Sequence, residues 1–232
     1  MRRASILLAA ALLAPLGACG ATGGANPESD ARAALLRPGD IPGSWSLVGT
    51  TDRRPQVGDT ADPLDDAKGA TQTCRSALDA LEVTTTGPAP TSADRTAFAR
   101  AVYRSNRATP SADDRDLTLT VEDARTASDR AAAVMAVTSA CAKPLTTRAG
   151  TQRLVVRIAP TSYSTPGATG YTVAYDADGL KHYFDMVVVV SGTRGVTASI
   201  TGPDRPANRR LLDAVTTRTL TRLGAPAGPS AT

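Results

Sequence analysis

The dipeptide Asp178-Gly179, flanked by strand-like runs at 171–175 and 181–190, constrains this chain more tightly than any other feature. Asp-Gly is a favoured pair for a two-residue type I′ hairpin turn, because both central residues take φ > 0 there. With that loop Tyr175 faces His182, Val173 faces Phe184 and Tyr171 faces Met186, and all six share one face with Val188 and Val190. A slip of one residue would scatter the set over both faces, so the register is well determined. A further turn through Gly192-Thr193-Arg194 is expected to bring Val196, Ala198 and Ile200 onto the same face. Val187 and Val189 are apolar on the other side, so this strand is expected to be central and covered on both faces.

Periodicity supplies the remaining elements. Residues 31–36 read as a short helix, capped by Ser29 or Asp30 and stopped at Arg37-Pro38. A dense turn at 38–43 leads into a strand at 45–48, and 51–69 is long, polar and without period. From Thr71, the positions Cys74, Ala77, Leu78 and Leu81 form one helical stripe, followed by a loop at 84–92. In 96–104, Ala97, Ala99, Ala101 and Tyr103 alternate with Phe98, Arg100, Val102 and Arg104; in 117–121, Leu117, Leu119 and Val121 alternate with Thr118 and Thr120. Ser128 is the expected cap of a helix whose apolar face carries Val134, Val137 and Cys141. A strand at 154–158 precedes the hairpin, and a last helix at 208–223 ends at Gly224. The expected fold is a single α+β domain, a mainly antiparallel sheet flanked by helices.

The first residues set the address. Arg2 and Arg3 precede an apolar run at 6–16, too short for a permanent span, and Leu16-Gly17-Ala18-Cys19 follows. That placement resembles the bacterial lipobox, which implies cleavage after residue 18 and a diacylglycerol on Cys19. Two or more acyl chains anchor a protein stably. Residues 19–30 are rich in small residues and read as a tether, 31–223 as the domain and 224–232 as a disordered tail. The expected location is the outer face of the cell membrane. Loss of Arg2 and Arg3 lowers the formal charge from +4 to +2, too little for a nucleic-acid footprint. Arginine far outnumbers lysine and alanine is abundant, as in GC-rich genomes such as those of actinobacteria.

With Cys19 acylated, Cys74 and Cys141 remain, an even pair in an oxidising compartment, and a disulfide is expected. Such a bridge would stabilise the fold by about 4 kcal/mol on chain-entropy grounds. Two cysteines and one histidine are too few for a zinc site, so no metal and no cofactor is expected.

Catalysis finds little support. The only histidine is His182, placed opposite Tyr175 on the core side, and neither a nucleophile elbow nor a phosphate-cradling loop is present. The carboxylate clusters Asp62, Asp65, Asp66 and Asp113, Asp114, Asp116 fall in polar loops, where Asp favours turns. What remains is a binding surface. Tyr103, Tyr171, Tyr175 and Tyr183, with His182, are the candidates for a ligand cleft near the sheet ends, since the tyrosine ring is apolar and its hydroxyl can bond a ligand.

The segment Leu35-Leu36-Arg37-Pro38-Gly39-Asp40-Ile41-Pro42-Gly43-Ser44-Trp45 resembles the opening of the PknH-like extracellular (sensor) domain family. The later order of a cysteine-bearing helix, a strand pair, a helix ending in a cysteine, Val-rich strands and a terminal helix is similar too. The resemblance covers 31–223. It implies an antiparallel sheet flanked by helices, with a cleft for an extracellular ligand. The kinase sensor has two disulfides where this chain has cysteines for one. The expectation is therefore a membrane-anchored, non-catalytic ligand-binding or sensing lipoprotein, its partners the membrane and a small-molecule, lipid or envelope ligand. The alternative is an envelope assembly factor docking on a protein or wall polymer, marked by an exposed apolar patch. A wall hydrolase would need two carboxyls about 5–10 Å apart in a cleft.

Overall fold

The computed structural model describes residues 27–54, 64, 67–86, 97–106, 115–149 and 151–224. The expected signal segment, Cys19, Asp62, Asp65, Asp66, Asp113, Asp114 and residues 225–232 lie outside them. The elements are α1 (Pro27–Ala34), β1 (Trp45–Thr51), α2 (Gln72–Thr86), β2 (Phe98–Ser105), β3 (Asp116–Asp123), α3 (Ala124–Ala140), β4 (Leu145–Ala149), β5 (Gln152–Pro160), β6 (Thr169–Ala177), β7 (Leu180–Ser191), β8 (Arg194–Gly202) and α4 (Arg205–Arg222).

One eight-stranded sheet runs β1-β2-β3-β8-β7-β6-β5-β4, with every neighbouring pair antiparallel. Two meanders, β1 to β3 and β4 to β8, meet at the β3–β8 seam; α3 carries the chain from the centre to the far edge. This is the expected α+β class.

The hairpin has the register read from the sequence: Tyr175 pairs with His182, Val173 with Phe184 and Tyr171 with Met186. Asp178 and Gly179 both take positive φ, as a type I′ turn requires. The next turn differs. Ser191 pairs with Arg194, so the loop is the two residues Gly192-Thr193, and only Gly192 has positive φ, the pattern of a type II′ turn. A loop one residue shorter than expected turns the following strand over. Val196, Ala198 and Ile200 therefore lie with Val187 and Val189, on the face opposite Val173 and Val188.

Both faces are covered, each by its own core. On the first, α1 and α4 pack on Ala99, Tyr103, Leu119, Val187, Ala198 and their neighbours. On the second, α2 and α3 enclose Cys74, Leu81, Val134, Val137, Val156 and Val188. Central β7 feeds both, which explains its continuous apolar run. Gly195 on β8 brings α3 against the sheet: a Cβ there would stand 2.0 Å from that of Ala127.

Several boundaries shift for local reasons. α1 begins at Pro27, inside the segment read as tether. α2 extends to Thr86, into the expected loop, because the hydroxyls of Thr84, Thr85 and Thr86 donate back to the carbonyls of Leu81 and Glu82. The cap of α3 is Asp123, which accepts from Thr126 N at 2.9 Å, whereas Ser128 sits inside the helix and donates to Ala124 O. α4 starts at Arg205 behind Asp204, with Pro206 in its first turn. β4, an edge strand with a single large apolar residue, Leu145, was not expected at all.

The turn after α1 is tied to the end of α4. Asp40 accepts from Arg37 N at 2.7 Å and from Arg222 Nη2 at 2.6 Å, Arg222 Nη1 donates to Leu35 O at 2.6 Å, and Arg218 donates to Asp40 O. Ile41 and Trp45 are buried beside it. The Leu-Leu-to-Trp segment is thus a structural clamp.

Candidate functional site

Cys74 Sγ and Cys141 Sγ form a disulfide, with Cα atoms 4.9 Å apart. It joins the first turn of α2 to the C-cap of α3, so the pair is stapled at one end. At the other end the helices overhang the sheet, and a cavity of about 290 Å³ opens beneath them.

Strand pairing builds its floor. Arg100 faces Thr120, which faces Thr197; one rung along, Val102 faces Thr118, which faces Ser199, which faces Met186. Polar positions on the two neighbouring strands β3 and β8 thus align into a patch of four hydroxyls, Thr118, Thr120, Thr197 and Ser199. Phe184 and Met186 wall one side, Phe98 and Arg100 the other, and Thr85 and Thr86 close over from α2.

Arg130 of α3 forms the end wall, and it is held hard. Its guanidinium donates to Glu122 Oε1, to Thr197 Oγ1 at 2.8 Å and to Thr84 O at 2.6 Å. Glu122 is fully buried and Arg130 is 3 % exposed. Thr197 Oγ1 donates to the same carboxylate oxygen at 3.2 Å, and Arg54 stands 3.9 Å from the other. Burial pushes the Glu122 carboxyl above the ordinary carboxylate range, against the pull of Arg130 and Arg54. Arg54 also bonds Asp123 at 3.3 Å and Thr126 at 2.8 Å, linking β1 to the start of α3.

The five residues expected to form a cleft do not come together. Tyr103 is fully buried on the first face, its hydroxyl donating to Leu36 O at 2.6 Å, and burial raises its pKa to about 12. Tyr183 lies on that same face, between Ala174 and Gly202. Tyr171 is core on the second face, its ring centroid 5.9 Å from that of Phe184. Tyr175 and His182 pair near the hairpin tip. None of the five lines the cavity. The missed residues, Arg100, Arg130 and the hydroxyl floor, were visible as the polar half of each alternation, but their alignment depends on the non-sequential β3–β8 pairing. Among the described residues no three His, Cys, Asp or Glu side chains gather as metal ligands, and no helix is long and apolar enough to cross a membrane. Asp116 pairs with Arg104 at 2.8 Å on the exposed surface.

An eight-stranded antiparallel sheet covered on both faces by helices, with a cavity under one helix pair, defines this as a two-sided α+β domain. Among solved structures it is similar to the extracellular domain of PknH from Mycobacterium tuberculosis, with a TM-score of 0.53 at 11 % identity, over 85 % of this chain and 96 % of that one. The chain has the fold of that domain. No family model matches the sequence. No curated protein matches it either.

Proposed function

We propose that this protein is a lipid-anchored, extracytoplasmic ligand-binding or sensing module that performs no chemistry on what it binds. The cavity carries the reading. It has a wet floor of hydroxyls, an apolar wall and a fixed cation, the composition of a binding pocket rather than a catalytic one. Among the described residues, the carboxylate beside it, Glu122, is buried behind Arg130 and committed to that guanidinium. The solved domain of the same fold is described as extracellular, and the lipobox at Cys19 and the disulfide agree with export.

Native mass spectrometry of the protein purified from cell membranes tests this. A co-purifying small molecule that disappears in Ser199→Trp, which fills the cavity, supports it; the same mass retained in that variant refutes it. For the anchor, Cys19→Ser should abolish incorporation of labelled fatty acid and release the protein from membranes. A variant that stays on membranes and never took label in either form refutes the anchor.

One observation favours envelope docking as a second reading. β1 is an open sheet edge, bulged between Leu47 and Gly49, and its Leu47 and Val48 are 46 % and 56 % exposed. A partner strand could pair there. Charged substitutions at Leu47 and Val48 should then disrupt envelope cross-links while leaving cavity binding intact.

A further inference from the structure

Three arginines around this sheet face are matched, and the one that reaches into the cavity from β2 is not. Arg54 pairs with Asp123 at 3.3 Å, Arg104 with Asp116 at 2.8 Å, and Arg130 with Glu122. Arg100 has neither a hydrogen bond nor an ion pair among the described residues, and its Nε is shut off from solvent. Other arginines have an unbonded Nε too, but Arg130, Arg205 and Arg209 bond through their terminal nitrogens, and Arg115 lies over the Trp45 ring at 5.4 Å. The terminal nitrogens of Arg100 are not shut off in the same way as its Nε, so the charged fork is left open to a partner from outside the chain. Burial, and then repulsion from Arg130, lowers its proton affinity. A perturbed charged group set in a cavity is a candidate for ligand contact.

We infer that the cavity takes a small organic monocarboxylate, its charged end on Arg100 and its apolar body against Phe184 and Met186. This deepens the ligand-binding reading above and rests on it. Charge sets the valence. Glu122 already neutralises Arg130, so the cavity offers one uncompensated positive charge, which suits a carboxylate better than a phosphate dianion. Geometry sets the group: a guanidinium fork matches a carboxylate in two parallel bonds, and the Thr120 hydroxyl, directly across the strand pair from Arg100, is placed to donate a third.

Size sets the body. A volume of about 290 Å³ accommodates on the order of ten non-hydrogen atoms, taking the ~30 Å³ share of a liquid water as the measure. Arg100 on β2 and Met186 on β7 are separated by β3 and β8, roughly 14 Å at strand spacing. That span and the ten-atom volume together suit a carboxylate carried on a chain of about six to eight carbons.

The experiment is a titration of octanoate, octanamide, octylammonium and inorganic phosphate into the purified protein. It is followed by calorimetry and by amide shifts at Thr197 and Ser199. Octanoate should bind at least tenfold more tightly than octanamide, and octylammonium and phosphate should not compete with it. Arg100→Met should erase that preference, a loss of about tenfold to a hundredfold in octanoate affinity. It should also melt close to the parent, because Arg100 makes no hydrogen bond or ion pair among the described residues that the change would remove; a parent-like melt rules out misfolding as the cause of lost binding. Equal binding of octanoate and octanamide at these amides would overturn the carboxylate assignment while leaving the cavity a ligand site. If octanoate affinity persists in Arg100→Met, the role of Arg100 is refuted. If no probe moves these amides, the cavity reading itself falls, and the inference with it.

Discussion

Arg130 and Glu122 form a closed pair whose energetics can be worked out in advance. Arg130→Met keeps most of the side-chain volume but leaves a fully buried carboxylate facing only Thr197 and, at 3.9 Å, Arg54. It also leaves Thr84 O without its donor. Removing one partner of a buried ion pair costs about 3–5 kcal/mol, and Arg54 should keep this case near the lower figure. Glu122→Met strands Arg130 instead, with its bonds to Thr197 and Thr84 intact, and should cost about 3 kcal/mol. The double variant buries two thioether chains in the same space and should lie within about 1 kcal/mol of the parent. The coupling is then about 5 kcal/mol, far beyond experimental error in a double-mutant cycle. Urea unfolding, followed through the single Trp45, measures all four proteins. A pH series adds a sign. In Arg130→Met the folded-state pKa of Glu122, already raised, loses its strongest opposing charge and rises further. The folded state then holds a proton that the unfolded chain, near 4.3, releases. Because the parent's Glu122 is itself raised, the unfolded value cancels, and the cost of Arg130→Met must grow as pH rises from the parent's folded pKa through the variant's higher one and be smallest below the parent's. Single variants each costing under about 1 kcal/mol, or a double variant that simply adds, would show that the pair is wet and the reasoning wrong.

Four further outcomes follow from other parts of the molecule. Reduction of Cys74–Cys141, which closes a separation of 67 residues, should lower stability by about 4 kcal/mol and the melting temperature by about 8–16 °C; an unchanged melt would show that the thiols are not paired. Gly195→Ala puts a methyl group into Ala127 and should cost about 1–3 kcal/mol, whereas the same change at Gly39, with open space around it, should be close to neutral in thermal unfolding. Arg222→Ala removes the bonds to Leu35 O and Asp40 and should cost about 1–2 kcal/mol, with hydrogen exchange rising at 35–41; exchange rising elsewhere instead would contradict the clamp. For Asp123, burial raises the carboxyl, but the backbone N–H and hydroxyl of Thr126 outweigh it and hold the pKa low. Its contribution is present above the ordinary carboxylate range and lost as pH falls through the folded value, so Asp123→Asn should flatten the acid limb of the stability curve.

What the chain reveals to a reader of its sequence divides along local and non-local lines. The Asp178-Gly179 register was legible because turn chemistry and alternation over ten residues agree on one pairing. The Cys74–Cys141 bridge was legible because both cysteines sit on apolar helical stripes. The next turn was not, since Gly192-Thr193-Arg194 fits a two-residue or a three-residue loop equally well, and one residue decides the face of a whole strand. The cavity was the least legible part. Thr118, Thr120, Thr197 and Ser199 each read as the solvent side of a half-buried strand, and only the β3–β8 pairing, between strands more than seventy residues apart, brings them under α2.

The choice of tyrosines as the cleft residues failed for a physical reason that also explains where the site is. A large amphipathic ring in a chain poor in aromatics is worth most in the core, and Tyr103 and Tyr171 are spent there, one satisfied by Leu36 O and the other against Phe184. A small cavity over a sheet needs the opposite: short side chains for the floor, so that volume remains, and long ones only at the rim. Threonine supplies that floor without giving up strand propensity. The staple then has a definite consequence. With α2 and α3 bridged at the Cys74 end and Gly195 letting α3 rest on β8, the distance between Thr86 and the hydroxyl floor is set by covalent and packing constraints remote from the cavity. Reduction of the disulfide should for that reason weaken binding in the cavity more than Gly39→Ala, which alters no packing, and should do so under conditions where the domain is still folded.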